Sequence, residues 1–276
     1  SQNKLKFSAE TVESAQNNDI TMNLFKKNVQ VQDANRILYA DLAIQIPDSN
    51  KVILSGNVKM YEDTDSLQCD ELIILKDTED MYYAKGNVIL KDSLRIVYGD
   101  SLSIEYNGDL IDKLKIRSNA RIYSNQYLKL KNSNEENFFQ DKMEASHILV
   151  ELNSNEQVDF ILLSGMASAD FSVIRDNTVK GINEVSGDSI SINFVDNAID
   201  AMKVTGGVVG QFIPDKENKD ITNTIIYKAN NIYYNLSEEK TFLTDNAEVI
   251  YGMTTLKGGE IEADLNLNLV ESRIKG

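Results

Sequence analysis

The fold of this chain is decided by the stretch Val52-Ile53-Leu54-Ser55-Gly56-Asn57-Val58, which is followed by Cys69-Asp70-Glu71-Leu72 and then by Tyr83-Ala84-Lys85-Gly86-Asn87-Val88. An alternating apolar run ends in Gly-Asn-Val, and an Asp follows the Gly 14 residues later. The same phrase recurs with the same 14-residue offset from Gly86 to Asp100. A fixed internal period indicates one supersecondary unit that is stacked on itself.

Further copies extend this repeat along the chain. Two keep the 14-residue offset, and three lengthen it to 28, 23 and 24 residues. These copies open at Lys27-Asn28-Val29, Asp245-Asn246-Ala247, Ser118-Asn119-Ala120, Gly165-Met166-Ala167 and Gly206-Gly207-Val208. The added residues are polar and are predicted to form loops or lengthened hairpins near residues 131–144, 175–184 and 213–224. We therefore predict that residues 1–276 form a single domain of about eight repeats.

Each half of the repeat alternates apolar and polar residues with a period of two, which is typical of a half-buried strand. By this alternation, Asp100, Leu102 and Ile104 are expected to share one face. The chain is therefore predicted to be all-β, an elongated twisted β-jellyroll or half-open β-solenoid of about sixteen antiparallel strands. A glycine in mid-strand, such as Gly56, predicts a sharp bend or a close backbone approach.

The composition limits the classes of partner. The formal net charge is −15, which disfavours nucleic acid, because a basic surface supplies most of the affinity for phosphate backbones. The same charge disfavours unaided docking on an anionic bilayer. Hydrophobic residues make up 42% of the chain, enough to bury a sizeable core.

The sequence predicts no catalytic group, no metal site and no cofactor. His147 is the only histidine, so a histidine-based triad or a histidine-rich metal site cannot be assembled. Cys69 is the only cysteine and takes the slot of a small packed residue just before Asp70. The acidic segment 62–65 is predicted to be a solvated hairpin tip rather than a calcium loop. The recurring aspartates are expected to accept hydrogen bonds from backbone N–H groups at the start of each strand.

The repeated phrase between Val52 and Val88 resembles the OstA-like, or LptA-like, family. This family comprises the periplasmic lipopolysaccharide-transport proteins and the periplasmic domain of the LptD-type outer-membrane translocon. The likeness is closest over residues 27–108 and 240–276. It implies a twisted jellyroll whose apolar groove holds the acyl chains of lipid A, no enzymatic activity, and a location in the periplasm of a Gram-negative bacterium.

The resemblance also implies partners. Such proteins join edge to edge with like-folded transport proteins, including components anchored in the inner membrane and the outer-membrane translocon. Residues 5–14 and the closing phrase Ile274-Lys275-Gly276 are expected to leave open strand edges, which are templates for strand addition. Head-to-tail association of this chain with itself is expected on the same ground.

The inward slots of the repeated strands are expected to line the lipid groove. These residues are Val58, Leu72, Ile74, Val88, Leu102, Ile104, Ile148, Val150, Ile190, Ile192, Val208 and Ile232.

Two alternative functions remain open from the residues alone. A structural or adhesive β-solenoid would have a fully packed interior and would bind a partner on its surface. A carbohydrate-active β-helix would have one cleft with clustered carboxylates and aromatic residues. The absence of tryptophan disfavours the second alternative, because sugar-binding clefts favour flat aromatic platforms.

Overall fold

The structure, a computed structural model, describes residues 5–17, 20–76, 80–108, 110–131, 133–196, 198–235, 238, 240–264 and 269–273. These residues form seventeen strands and one 3₁₀ turn, at Pro47–Ser49. The strands are β1 (Lys6–Ser8), β2 (Thr11–Asn17), β3 (Ile20–Asp33), β4 (Arg36–Ile46), β5 (Lys51–Glu62), β6 (Asp65–Lys76), β7 (Asp80–Lys91), β8 (Arg95–Asn107), β9 (Leu110–Lys129), β10 (Glu136–Leu152), β11 (Val158–Arg175), β12 (Thr178–Val195), β13 (Ala198–Pro214), β14 (Ile225–Asn235), β15 (Lys240–Tyr251), β16 (Thr254–Asp264) and β17 (Leu269–Arg273).

Consecutive strands pair antiparallel, so the prediction of an all-β antiparallel fold is confirmed. The pairing runs without interruption from β2 to β8 and from β11 to β17. The count exceeds the predicted sixteen because β1 and β2 both pair with β3 and are separated only by a break at Ala9 and Glu10. The closing phrase at residues 274–276 lies outside the described residues. Within the described part of the chain, no helix is long and apolar enough to cross a membrane.

The chain divides into two compact units. Unit 1 comprises residues 1–120 and 152–156, and unit 2 comprises residues 121–151 and 157–276. The boundary falls inside β9, where Ala120 ends unit 1. The single domain inferred from the uninterrupted repeat stays a prediction.

Every odd-numbered strand from β3 to β15 turns a corner in its middle. At this corner two successive residues have positive φ, for example Gly56 at +79° and Asn57 at +49°. The register with the neighbouring strand shifts there, so that Gly56 and Asn57 together oppose Asp70 alone. Two residues opposite one is the signature of a β-bulge, which bends a strand. The equivalent pairs are 27–28, 86–87, 118–119, 165–166, 206–207 and 245–246.

An aspartate from the preceding strand packs directly over Gly56, Gly86 and Gly206, and Ser146 takes this place over Gly165. A Cβ atom on Gly86 would lie 2.3 Å from Oδ2 of Asp70, and one on Gly56 would lie 2.5 Å from Oδ2 of Asp41. The Asn that follows the glycine donates its side-chain N–H to the same oxygen, 2.9 Å from Asn87 to Asp70 and 2.8 Å from Asn57 to Asp41. The aspartates thus bond an Asn side chain, a different partner from the backbone N–H groups expected from the sequence.

The corner changes which residues of the even-numbered strands face inward. On β8, Leu102 and Ile104 are buried, but Asp100 is exposed, so the expectation that these three residues share a face is wrong. The physical reason is the bend: the residue at the corner points out over the next strand, and the inward series resumes only after it. Across the corner, successive inward-facing residues of an even-numbered strand are therefore three positions apart instead of two, as Gly99 and Leu102 are.

The bends give each unit two facing layers. We call the two parts of a strand on either side of its corner its arms. In unit 1, layer A contains the arms at residues 23–26, 42–46, 51–55, 71–76, 81–85 and 101–106. In unit 2, layer A contains the arms at residues 160–164, 189–193, 201–205, 231–235, 240–244 and 260–264. Layer B contains the arms on the other side of each corner. The long insertions are accommodated as predicted. Those near 131–144 and 175–184 lengthen β10, β11 and β12, and the third forms the loop at 215–224.

The two glycines at the β13 corner offer a matched test of this geometry. Gly206 has φ +81°, and a Cβ there would lie 2.2 Å from Oδ2 of Asp188, whereas Gly207 has φ +59° with no atom within 4 Å. We expect Gly207→Ala to lower the free energy of unfolding by about 1 kcal/mol, the cost of a left-handed non-glycine residue. Gly206→Ala should lower it by at least about 2 kcal/mol, because Asp188 must also move. Urea unfolding measures both, and equal losses would contradict the close approach.

Candidate functional site: the interior of the two units

Rows of apolar side chains cross the inner face of each unit. In layer A of unit 1, one row follows the cross-strand pairs from β3 to β8, and its members are between 0 and 9% exposed. The row is Phe25, Ala43, Leu54, Leu72, Ala84 and Leu102. Small and large side chains share this row, so the surface it makes is continuous and purely apolar.

Unit 2 repeats the arrangement. A row in its layer A crosses six strands from β11 to β16 and is at most 3% exposed. The row is Leu163, Ile190, Val204, Ile232, Leu243 and Ile261. The two units therefore each contain a wall of apolar side chains that is aligned by the strand register.

All of the residues predicted to line a groove lie on these inner faces, and none is more than 4% exposed. Leu72, Ile74, Leu102 and Ile104 come together in layer A of unit 1, whereas Val58 and Val88 lie in its layer B. In unit 2 the members are Ile148, Val150, Ile190, Ile192, Val208 and Ile232. The inward direction predicted from the alternation is observed, and contact with lipid stays a prediction.

A stacked aromatic pair closes the interior of unit 1 beside its first strands. The rings of Phe7 and Phe25 are parallel to within 13°, with centroids 4.4 Å apart. Phe7 pairs with Val31 in layer B, and Phe25 pairs with Ala43 in layer A. The stack therefore joins the two layers.

Five polar residues interrupt the apolar interior of unit 1, and we call them the unit 1 polar cluster: Asp33, Arg36, Lys76, Tyr82 and Tyr106. Asp33 is 1% exposed, and its Oδ2 accepts hydrogen bonds from the Tyr82 hydroxyl and from Lys76 Nζ, the latter at 2.7 Å. The guanidinium of Arg36 stacks 4.2 Å from the ring centroid of Tyr106. Burial, reinforced by Asp33, raises the pKa of Tyr82, so this hydroxyl stays protonated and acts as a donor.

The cluster joins the two layers of unit 1. Asp33 and Arg36 flank the hairpin turn of β3 and β4 in layer B, and Lys76 and Tyr82 lie in layer A. Arg36 also donates from Nε to Glu62 at 2.8 Å, which fixes the guanidinium. The interior of unit 1 is thus held together by aliphatic packing near the corners and by hydrogen bonds and ion pairs near the turns.

Unit 2 has an uncharged cluster in an equivalent role. The Tyr234 hydroxyl in layer A donates to the Tyr227 hydroxyl at 2.9 Å, and Tyr227 in layer B donates to Oδ1 of Asn183 at 2.8 Å. Tyr227 lies across Gly210, where a Cβ would be 2.2 Å from its ring. Burial raises the pKa of Tyr234 to about 12. The glycine on β13 therefore makes room for the aromatic ring that spans it.

The other residues singled out from the sequence lie where they were expected. Cys69 is 6% exposed on the inner face, and His147 is exposed on the outer face. Residues 63–64 form a hairpin turn between β5 and β6. Among the described residues, no group of three or more His, Cys, Asp or Glu side chains is arranged to hold a metal ion.

The polar clusters are not predicted by the repeated apolar slots, because their residues occupy inward positions that the apolar pattern leaves out. A signal was nevertheless present. Asp33 continues the inward series Val29, Val31, and Tyr82 precedes Ala84 on the inward face of β7. A charged residue in an inward slot, in a chain whose other inward slots are aliphatic, marks a position that needs a buried partner.

The buried thiol gives a direct measure of how closed the interior is. Burial raises the pKa of Cys69 to about 12, so the thiolate is scarce at pH 8 and becomes common only well above that pH. We expect iodoacetamide to alkylate the native protein at pH 8 at least about a hundredfold more slowly than the same protein in urea. Equal rates in the two conditions would show that the inner face is open to solvent.

Comparison with known protein families matches residues 40–268 to the family described as LptA/(LptD N-terminal domain) LPS transport protein. No curated protein matches the chain. Among solved structures, the chain is similar to the crystal structure of LptH, described as the LptA homologous periplasmic component of the conserved lipopolysaccharide transport device from Pseudomonas aeruginosa. The identity is 15% and the TM-score is 0.38, over 49% of this chain and 82% of that chain. All of the predicted groove residues lie within the range of the family match.

Proposed function

Because the chain belongs to the family of LptA and LptD N-terminal-domain lipopolysaccharide transport proteins, we propose that it is a non-enzymatic periplasmic bridge protein of a Gram-negative bacterium. Its two-layered interior binds the lipid A acyl chains of lipopolysaccharide, while the sugars and phosphates remain in solvent. The lipid is carried toward the outer membrane.

The observation that carries this proposal is the continuous apolar row on the inner face of each unit. A row such as Leu163, Ile190, Val204 and Ile232 runs across successive strands, as a track for an extended hydrocarbon chain would have to run. Each buried CH₂ group of an acyl chain contributes about 0.8 kcal/mol. A chain that slides along equivalent aliphatic positions meets a nearly constant environment, which suits transport better than a single deep pocket does.

The tight burial of these side chains sets a condition on binding. Leu72, Leu102 and Ile190 are 0% exposed, so an acyl chain contacts them only when the two layers move apart. The lipid then replaces contacts between layers with contacts between lipid and layer. The groove is, on this proposal, opened by the lipid rather than held empty.

Strand addition is the proposed mode of assembly with like-folded transport components. The side chains of β2 from Thr11 to Gln16 are exposed, and β2 pairs with β3 on one side. A partner strand on its other side would extend the antiparallel sheet and align the apolar rows of the two proteins.

One observation favours the alternative of an adhesive β-solenoid. The outer face of unit 2 exposes a group of aliphatic side chains that are neighbours on adjacent strands. Ile182 is 46% exposed and pairs with Ile213, which is 37% exposed. On this reading the interior is only a packed core, and partners bind to the outer face.

Site-specific photocrosslinking distinguishes the two functions. We expect a photoreactive side chain at Leu102 or Ile190 to capture lipopolysaccharide in a producing host, because both residues face inward. The matched positions Ser101 and Ser189 precede them on the same strands, are partly exposed, and should capture none. Equal capture at all four positions would contradict the inward groove, and capture at Ile182 alone would favour the adhesive alternative.

A substitution in β2 tests the mode of assembly. Glu10 N–H donates to the carbonyl of Lys27, so by the alternation of an antiparallel pair the N–H of Ala15 points away from β3. Ala15→Pro removes this outward donor, and we expect at least about a tenfold loss of affinity for a like-folded partner. Ala15→Ser keeps the donor and should leave the affinity unchanged. Sedimentation velocity of the mixed proteins gives both affinities, and an unaltered affinity of the Ala15→Pro protein would contradict joining through β2.

A further inference from the structure

The unit 1 polar cluster is costly for a protein that needs only a stable core. Asp33 is 1% and Arg36 is 4% exposed, and burial of charges carries a desolvation penalty that their mutual attraction only partly offsets. Replacement of such groups by aliphatic residues of similar volume is often neutral or stabilising. The neighbouring inward slots are already aliphatic. Stability alone therefore does not account for this cluster.

Two polar atoms of the cluster also lack a hydrogen-bond partner when the layers are together. Among the described residues, Oδ1 of Asp33 and the hydroxyl of Tyr106 are buried without a hydrogen-bond partner. Buried polar atoms are normally paired, and an unpaired atom raises the free energy of the state that contains it. Separation of the layers returns both atoms to water. The closed arrangement is thus held by strong contacts and opposed by these two atoms.

Three strong contacts of the cluster run between the layers. Lys76 and the Tyr82 hydroxyl of layer A bind the same Asp33 oxygen of layer B, and Arg36 of layer B lies over the ring of Tyr106 in layer A. Lys76 also binds Asp80 within layer A, so it retains a partner when Asp33 leaves. Arg36 likewise retains Glu62 within layer B. Each cation therefore keeps one carboxylate in the open state, which lowers the cost of separation.

From these contacts we infer that the unit 1 polar cluster is a releasable latch, which holds layers A and B together near the hairpin turns. An acyl chain enters unit 1 only when the contacts of this latch break. This inference rests on the proposed function for the identity of the lipid. The opening itself is a property of the protein and is measurable without lipid. Unit 2 joins its layers through the neutral Asn183, Tyr227 and Tyr234 instead.

A pair of tyrosine variants tests the latch with Cys69 as the native reporter. Tyr82→Phe removes the hydroxyl that binds Asp33 and keeps the ring. Tyr106→Phe removes a hydroxyl that has no partner among the described residues and keeps the ring under Arg36. The two variants are therefore matched in chemistry and burial and differ in one interlayer hydrogen bond.

We expect Tyr82→Phe to accelerate labelling of Cys69 by methyl methanethiosulfonate about tenfold, since a hydrogen bond to a charged group is lost. Tyr106→Phe removes an unpaired buried hydroxyl, so its Cys69 should be labelled no faster than that of the unchanged protein. The acceleration should depend only weakly on urea, because a local opening exposes little surface. Equal rates in the two variants, or an acceleration with the urea dependence of global unfolding, would overturn the latch.

Lipid capture separates this inference from the function on which it rests. With a photoreactive side chain at Leu102, the Tyr82→Phe protein should capture more lipopolysaccharide than the Tyr106→Phe protein. If Cys69 labelling accelerates and no protein captures lipid, the proposed function fails and the latch stands as a conformational device. If lipid is captured equally by both variants, the latch does not control entry, and the inference fails while the proposed function stands.

Discussion

The contact between an aspartate and the corner of the next strand is the constraint on which the rest of this structure depends. Two left-handed residues oppose one extended residue, and the extra residue bends the strand. At Gly86 the aspartate oxygen occupies the space of a Cβ atom, so glycine is needed for sterics as well as for φ. The Asn amide then bonds the carboxylate that the glycine has admitted. The Gly-Asn phrase and the facing aspartate thereby supply the bend, a glycine that can adopt the backbone conformation of the bend, and the hydrogen bond that stabilises it.

Because the odd-numbered strands from β3 to β15 bend at such corners and the even-numbered strands between them follow the bend, each of these strands contributes to both layers. The interior is consequently lined by two arms of the same strands, which the bend joins at the corner. Far from the corner the bend no longer holds the layers, and other contacts must do so. The structure uses side chains there: Phe7 against Phe25 beside the first strands, and Asp33 with Tyr82 near the turns. The β15 corner shows a variant of this contact, since Asn231 of β14 donates to Asp245 of β15, and the donor and the acceptor have exchanged strands.

The sequence was sufficient to predict the strands, their antiparallel pairing and the inward direction of the aliphatic residues, since all three follow from the period of two and the constant offset. The change of phase at Asp100 was not predictable by strict alternation, which assumes a straight strand. The partner of the aspartates was not predictable either, because Asn87 reaches Asp70 only once the register is fixed. The polar contacts between layers depend on pairs far apart in sequence, such as Asp33 and Tyr82, and no local pattern joins them.

A filled interior changes the energetics of a lipid carrier. A twelve-carbon acyl chain would contribute about 9 kcal/mol by burial of its CH₂ groups alone, but the aliphatic walls are already buried against each other when the chain is absent. Binding therefore replaces one apolar contact with another, and the net gain is the apolar surface that the lipid itself removes from water. On the proposed function, this exchange keeps the affinity for lipid moderate, as release of the lipid would require. The free energy of opening then depends on the contacts between layers that the lipid does not replace. In unit 1 those contacts are the hydrogen bonds of Asp33, because an acyl chain offers no donor to take the place of Lys76 or Tyr82.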